Sequence, residues 1–339
     1  MNPAERVCVG RTRLSVTRLG LGTAPLGGLF SPVAEEEARA TVEQAYAAGL
    51  RFFDTAPLYG HGLAEQRLGR VLASKPRGEF VLASKVGRLL RAEAPPDPSQ
   101  SYRGEPFYKG TPLLNPVFDF SYDGVMRSVD ESLERLGLDA IDLLHIHDPD
   151  HHFDEALSGA YRALDRLREE ETIGAVGVGM NQTAMLVRFA READVDCFLV
   201  AGRYTLLDQT ALAELLPVCL ERRIAVIAGG VYNSGILADP RPGATFDYIP
   251  ARPELITRAR RLKKVCARHD VPLKAAAIQF PLGHPAVAAV LIGCRSAAEV
   301  DENVRMFRCE IPAGLWDDLR RERLIPEGVP APDAAGRRA

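Results

Sequence analysis

No apolar run in the 339-residue chain approaches the roughly 20 residues needed to cross a bilayer, so no membrane partner is expected. A dominant charge sign is also missing: 42 Lys and Arg face 45 Asp and Glu, for a formal net charge of −3. That balance leaves no electrostatic footprint for nucleic acid or an anionic surface, and neither is expected as a partner. Cysteine is scarce. Cys8, Cys197, Cys219, Cys266, Cys294 and Cys309 never form a CxxC pair and read as reduced thiols, mostly core filler. The opening MNPAERVCVGRTRL lacks the apolar segment of a secretory signal, and a cytoplasmic location is expected. No internal repeat and no linker divides the chain.

What is present is an alternation of short apolar runs and amphipathic helical stretches, the pattern of parallel strands joined by crossover helices. Eight strands are expected at 19–23, 51–54, 80–85, 141–147, 175–180, 197–201, 225–228 and 288–292. Helices are expected at 34–48, 64–74, 122–136, 154–170, 183–192, 208–222, 253–268, 274–282 and 297–307, with an outer segment at 313–323. Eight such units fit one α/β barrel of about 250 residues with insertions. A hairpin within 7–16 is expected to close the barrel floor, and residues 1–325 to form a single domain. Two long loops stand out, 89–120 after the third strand and 229–252 after the seventh; loops of that length are functional or disordered. The Pro-, Ala- and Gly-rich tail from 326 to 339 is expected to be mobile.

Parallel strands bring their C-terminal ends to one face, where a barrel keeps its chemistry. In RFFDTAPLYG, Ala56-Pro57 cannot continue the strand, so Asp54 and Tyr59 leave it at that face. Lys85 ends the third strand and His147 the fourth. Singly, each has a structural reading: a turn-forming Asp, a snorkelling Lys, a satisfied His. Jointly they are a set for moving one proton. A free phenol ionises near pH 10, an ammonium beside it favours phenolate, and a carboxylate keeps the ammonium charged. An imidazole can then donate a hydrogen bond to a substrate oxygen while a hydride moves elsewhere. A rival from another class is a metal-dependent barrel hydrolase, since His145 and His147 point to the same side of a strand and His151-His152 follow. It needs further ligands, and strands five, six and eight offer no histidine.

FFDTAPLYG, LASKVG and DLLHIHDPD resemble the three active-site segments of the aldo-keto reductase family, in order and at suitable intervals. The resemblance runs from about 14 to 307 and implies a TIM (β/α)8 barrel that binds a nicotinamide cofactor without a Rossmann domain. By position it makes Tyr59 the general acid/base, Lys85 and Asp54 its tuning pair, and His147 the donor to the substrate oxygen.

On the cofactor side, Gly293-Cys294-Arg295-Ser296 follows strand eight and opens a helix, whose N–H groups and dipole suit an anion. Glu302 and Asn303 look like the family's adenine-contacting pair, and Asn181 in GVGMN like its carboxamide-binding asparagine. Where NADP-dependent relatives carry a lysine and an arginine near the adenosine phosphate, this chain has Gly293 and Glu299. A carboxylate repels a 2′-phosphate and can accept from ribose hydroxyls, so NAD is expected over NADP, although Arg295 is placed to reach a phosphate. The family's serine, glutamine and stacking tyrosine appear as Met180, Ala201 and Gly229, with Tyr232 or the backbone at Gly229-Gly230 as substitutes.

RSVDESLERLGLDAIDLLHIHDPD and AGRYTLLDQ look most like the branch with L-fucose, D-threo-aldose and L-galactose dehydrogenases, near pyridoxal dehydrogenase. That resemblance implies oxidation of an aldose at C1 to its lactone, with pyridoxal oxidation or NADP-linked aldehyde reduction as alternatives. Asp148, Arg203, Tyr204, Tyr232 and Asn233 are the candidates for substrate contact, with 89–120 as a possible lid.

Overall fold

A computed structural model describes residues 1–332. Eight parallel strands close into a barrel in sequential order: β1 (Leu19–Gly22), β2 (Phe52–Asp54), β3 (Val81–Val86), β4 (Leu143–His147), β5 (Ala175–Met180), β6 (Cys197–Ala201), β7 (Ala225–Gly229) and β8 (Val287–Gly293). This is the TIM-barrel architecture expected from the alternation. Both faces of each strand are covered, which is why the strands are nearly all apolar rather than alternating.

Strand period two decides which side chains enter the barrel. In β3, Val81, Ala83 and Lys85 point inward, while Leu82 and Val86 join the outer core under the helices. In β4 the same alternation sends Leu143, His145 and His147 inward. The lowest inner layer is apolar, with Val81, Leu143, Ala175, Cys197 and Ala225 each opening its strand. The hairpin Arg6–Cys8 with Ser15–Thr17 covers that layer, and Val9 and Val16 are packed into it.

The helices follow the expected order with local differences. The helix after β4 is interrupted by a π-helical turn, Ala156–Ala160, where Gly159 lies so close to the Phe120 carbonyl that a Cβ would sit 2.4 Å from it. The stretch expected to be helical from 208 to 222 begins instead with a short 3-10 turn, Thr210–Leu212, and becomes α-helical only over Leu215–Arg222. Helices Leu63–Leu72 and Tyr122–Leu136 touch backbone to backbone at Gly69.

The long loop after β3 is not structureless. It holds two antiparallel ribbons, Arg88–Arg91 with Asn115–Phe118 and Ser101–Tyr102 with Glu105–Pro106. The loop after β7 holds a third, Thr245–Phe246 with Ile249–Pro250. Each pair is short and rich in Pro or Gly, so single-strand periodicity does not reveal it. At the C-terminal end, Val329 is 2% exposed and its carbonyl accepts from Arg320 at 3.0 Å. Of the expected tail, residues 333–339 lie outside the described residues.

Candidate active site

At the end of β2 the Asp54 carbonyl accepts from the N–H and the hydroxyl of Thr23, at 2.9 and 3.0 Å. The chain then turns through Ala56-Pro57, and the Tyr59 N–H donates to the Ala56 carbonyl at 3.1 Å. Gly60, at φ +62°, lies against Gly27; a Cβ on Gly60 would meet the Gly27 carbonyl oxygen at 2.3 Å. Only glycine allows that approach, and it presses the Tyr59 loop onto the turn after β1.

Asp54, Lys85 and His147 converge at the barrel's C-terminal end and are 3%, 1% and 7% exposed. Lys85 Nζ donates to Asp54 Oδ1 at 2.7 Å and to the Thr55 carbonyl at 2.9 Å, and stands 4.6 Å from the centre of the Tyr59 ring. The Tyr59 and His147 rings meet edge to face, centroids 5.9 Å apart. Four residues from three strand exits therefore form one cluster.

Electrostatics departs from the expected tuning in one respect. Tyr59 is pushed well above the ordinary phenol value by burial, and then by the charge of Asp54, rather than being lowered by Lys85. Burial also lowers the Lys85 ammonium, opposed by Asp54, and raises the Asp54 carboxyl, opposed by Lys85. His147 is held well below its usual range by burial and by Arg88, Lys85 and His145. It is a neutral imidazole at pH 7. Such a cluster can hold one proton on Tyr59 and offer an N–H from a neutral ring to an oxygen beside it.

His145 lies one layer below, across from Lys85 in the β3–β4 register, and burial pushes it down to about 3. Gly177 makes room for it, since a Cβ there would sit 2.3 Å from His145 Nδ1. His152 stacks on Phe118 and Phe120 instead of joining His147. Among the described residues no three His, Cys, Asp or Glu side chains are grouped to hold a metal.

Arg88 was not legible as a site residue. It is 4% exposed, donates to the His147 carbonyl at 3.2 Å and to Asp148 Oδ2 at 3.2 Å. Asp148 itself sits at φ +43°, a conformation L residues rarely adopt, with its carboxylate 3.4 Å from His147 Nε2. Its side chain is one-third exposed, and its charge raises Tyr59, Tyr108 and Tyr248 alike. That places Asp148 among the three phenols.

The rim is aromatic, from residues that sequence reasoning passed over because they lie in loops without periodicity. Tyr108, on the β3 loop, packs 6.3 Å from Tyr59. Tyr248, on the β7 loop, packs against Phe107 at 5.7 Å and Phe30 at 5.9 Å. Three loops thus meet above Tyr59.

Two expected substrate contacts are corrected. Tyr204 is 1% exposed and wedged against Phe280 and His284 in the outer core. Asn233 is 3% exposed, accepting from Thr205 Oγ1 at 2.6 Å and donating to the Gly202 carbonyl at 3.2 Å, so it ties two loops together. Arg203 forks onto Asp247 at 3.0 and 2.9 Å, the chain neighbour of Tyr248 in the rim. The causes differ: the Tyr204 ring is taken into the apolar core with its hydroxyl unpartnered, whereas Asn233 is a loop brace.

The turn after β8 is organised by its own side chains. Ser296 Oγ accepts from the Glu299 N–H at 3.2 Å, and Glu299 Oε2 accepts from the Arg295 N–H at 2.8 Å. Asn303 Nδ2 donates to the Glu299 carbonyl at 2.9 Å and to Cys294 Sγ at 3.3 Å, while its Oδ1 accepts from Tyr232 at 2.6 Å. Glu302 pairs with Lys274 at 2.7 Å. Gly293 is exposed at the rim, Gly229 is buried at the end of β7, and Asn181 follows β5 half-buried. Arg295 does not extend outward as a free cation. Its guanidinium donates to the carbonyls of Leu29, Ser31 and Pro32 at 2.8, 2.9 and 3.1 Å.

A profile of the aldo/keto reductase family matches residues 18–321. The chain is 45% identical to a pyridoxal 4-dehydrogenase of Microbacterium luteolum, covering 96% of this chain and 99% of that protein. It is also 45% identical to a D-threo-aldose 1-dehydrogenase of a Pseudomonas species, covering 92% and 96%. The holo form of an aldo-keto reductase from Bacillus halodurans superposes with a TM-score of 0.73 at 25% identity, over 96% and 97% of the two chains. A family match that spans nearly the whole barrel, with full-length dehydrogenase relatives, makes this chain a member of the aldo/keto reductase family, an oxidoreductase that works with NAD(P).

Proposed function

We propose that the chain oxidises a cyclic hemiacetal, foremost an aldose at C1, to its lactone with NAD. The observation that carries this is the cluster of Tyr59, Lys85, Asp54 and His147 at one end of the barrel, next to Asp148 under an aromatic rim. The residues present fit a dinucleotide. The 12-residue helix Ala297–Arg308 opens at the rim behind the exposed Gly293; Asn181 and Gly229 lie at the ends of β5 and β7, Glu302 and Asn303 on that helix, and Tyr232 on the loop beyond β7, bonded to Asn303. The cofactor's part is to accept the hydride that leaves the substrate carbon.

This chain's residues handle the proton. His147, neutral, donates to the substrate oxygen and orients it. The carbinol proton passes to the Tyr59 oxygen in its phenolate form, and the C–O bond gains its second bond as hydride leaves. Lys85, kept in place by Asp54, stands 4.6 Å from the Tyr59 ring, where its positive charge opposes the burial and the Asp54 charge that disfavour phenolate. Asp148, braced by Arg88, is an acceptor for a substrate hydroxyl. Preference for NAD follows from Glu299 at the start of the helix and from Gly293, which supplies no cation for a 2′-phosphate.

Pyridoxal is the second reading, favoured by the rim of Phe107, Tyr108 and Tyr248, whose faces suit a planar ring; it too can close to an internal hemiacetal. The test is a panel of aldoses and pyridoxal with NAD and with NADP, following reduced cofactor by absorbance and lactone by its hydrolysis. Lactone from an aldose with NAD is expected, and lactone from pyridoxal alone selects the second reading. Reduction of aldehydes only, and only with NADPH, refutes both.

A further inference from the structure

We propose that Arg295 is a positioning residue for the substrate pocket: from the cofactor turn it clamps the tip of the loop after β1, and through that tip holds the aromatic rim over Tyr59. This rests on the reading that the turn after β8 belongs to the cofactor site.

The loop from Leu26 to Val33 is gripped by two arginines at different places. Arg67, 8% exposed, takes the two ends, donating to the carbonyls of Leu26 at 2.5 Å and Val33 at 2.8 Å. Arg295 takes the tip, with three bonds to the carbonyls of Leu29, Ser31 and Pro32. Residues 30–32 are exposed, with no core beneath them to supply the restraint. A planar guanidinium has the donors to gather carbonyls from one turn; a lysine presents a single point.

What the tip carries explains why it is held. The Phe30 N–H donates to the Phe107 carbonyl at 2.7 Å, and the Lys109 N–H donates to the Gly28 carbonyl at 3.0 Å. Leu29 and Tyr108 form a bridge, so the tip is an extra strand beside the β3 loop. Gly28, at φ +90°, has the Lys109 carbonyl oxygen where a Cβ would be, at 2.3 Å. Phe30 also packs on Tyr248, and Tyr108 packs on Tyr59. A continuous path of contacts therefore leads from Glu299, which accepts the Arg295 N–H, through Arg295 and residues 28–32 to Tyr108, Tyr248 and the proposed proton carrier. Arg295 faces the lid with its side chain and the cofactor turn with its backbone.

The variant Arg295→Met separates this from a role in holding cofactor phosphate. Hydrogen exchange on the cofactor-free protein reads the clamp directly: the amides of Phe30 and Lys109 should exchange about tenfold faster, while those of helix Ala297–Arg308 stay unchanged. NADH affinity, by fluorescence titration, should stay within about twofold. KM for the oxidised substrate should rise about tenfold, the scale of one lost charge-assisted hydrogen bond, with kcat within about threefold. Arg295→Lys should restore only part of the protection. Because Arg67 still holds both loop ends, the variant is expected to fold; Phe30→Ala, which leaves Arg295 in place, should reproduce the KM rise by cutting the same path further along. NADH affinity falling tenfold or more with exchange and KM unchanged would overturn the proposal. Failure of the unaltered protein to bind NADH counts against the functional reading instead, and the exchange measurement still decides the clamp.

Discussion

Lys85 and Asp54 form an ion pair 1% and 3% exposed, and the second carboxylate oxygen, Asp54 Oδ2, is buried with no hydrogen-bond partner among the described residues. Lys85→Met leaves that carboxyl without its ammonium and with an apolar chain against it. Removing one partner of a buried pair costs about 3–5 kcal/mol, reduced to the extent that Asp54, already raised by burial, takes up a proton. With an unfolding entropy of about 2.1 cal/mol/K per residue, the unreduced loss of about 3–5 kcal/mol lowers Tm by about 4–7 °C for a chain of 339 residues. Asp54→Asn should cost a similar amount by stranding the ammonium. The double variant removes both charges, so its loss should be smaller than the sum of the singles by at least about 1 kcal/mol. The assay is thermal unfolding of all four proteins at one scan rate, with turnover measured on the same samples. Turnover should fall at least ~10²-fold in each single and little further in the double, as groups that act as a unit do. Stability changes that add within about 0.5 kcal/mol would refute the pairing, and near-normal turnover in Lys85→Met would remove it from the proton chemistry.

Further outcomes follow from the ionisation of the cluster and from the helix packing. Because Tyr59 ionises above its ordinary value near 10, its phenolate is a small fraction at pH 7 that grows tenfold per pH unit, so kcat/KM for oxidation should climb with unit slope from about pH 7 to 9. His147, already neutral, should add no inflection between about pH 5 and 8. Tyr59→Phe should flatten the climb and slow turnover at least ~10²-fold with NADH binding intact; a plateau already reached at pH 7 would exclude Tyr59 as the titrating group. Separately, Gly69→Ala places a Cβ 1.8 Å from the Leu136 carbonyl oxygen, forcing two helices apart. The overpacking should cost about 1–3 kcal/mol and outweigh the ~1 kcal/mol helical gain of alanine, so a raised Tm would contradict the close contact.

The barrel and the catalytic cluster were legible because both are encoded by local period. Strands of the right length, separated by helices, have one economical closure, and period two within VLASKV and LLHIH sends Lys85 and His147 to the same side as the apolar floor. The Gly27–Gly60 contact behind Tyr59 was invisible, because it joins two loops with no shared pattern. The ribbons inside 87–120 were missed for the same reason: each strand finds its partner within the loop, so neither shows the burial of a core strand.

What the sequence by itself determined is the kind of chemistry available: one phenol, one ammonium, one carboxylate and one imidazole at the exits of adjacent strands, on an α/β barrel. That much depends on spacing along the chain. Only the tertiary structure decided which polar loop residues are taken into the core and which serve as braces. Tyr204 and Asn233 turned inward, Arg88 gripped His147 and Asp148, and Arg295 reached the carbonyls of residues more than 260 positions away. It also decided the sign of the Tyr59 shift, since a phenol's ionisation depends on how much water the folded rim removes from it, and no order of residues records that.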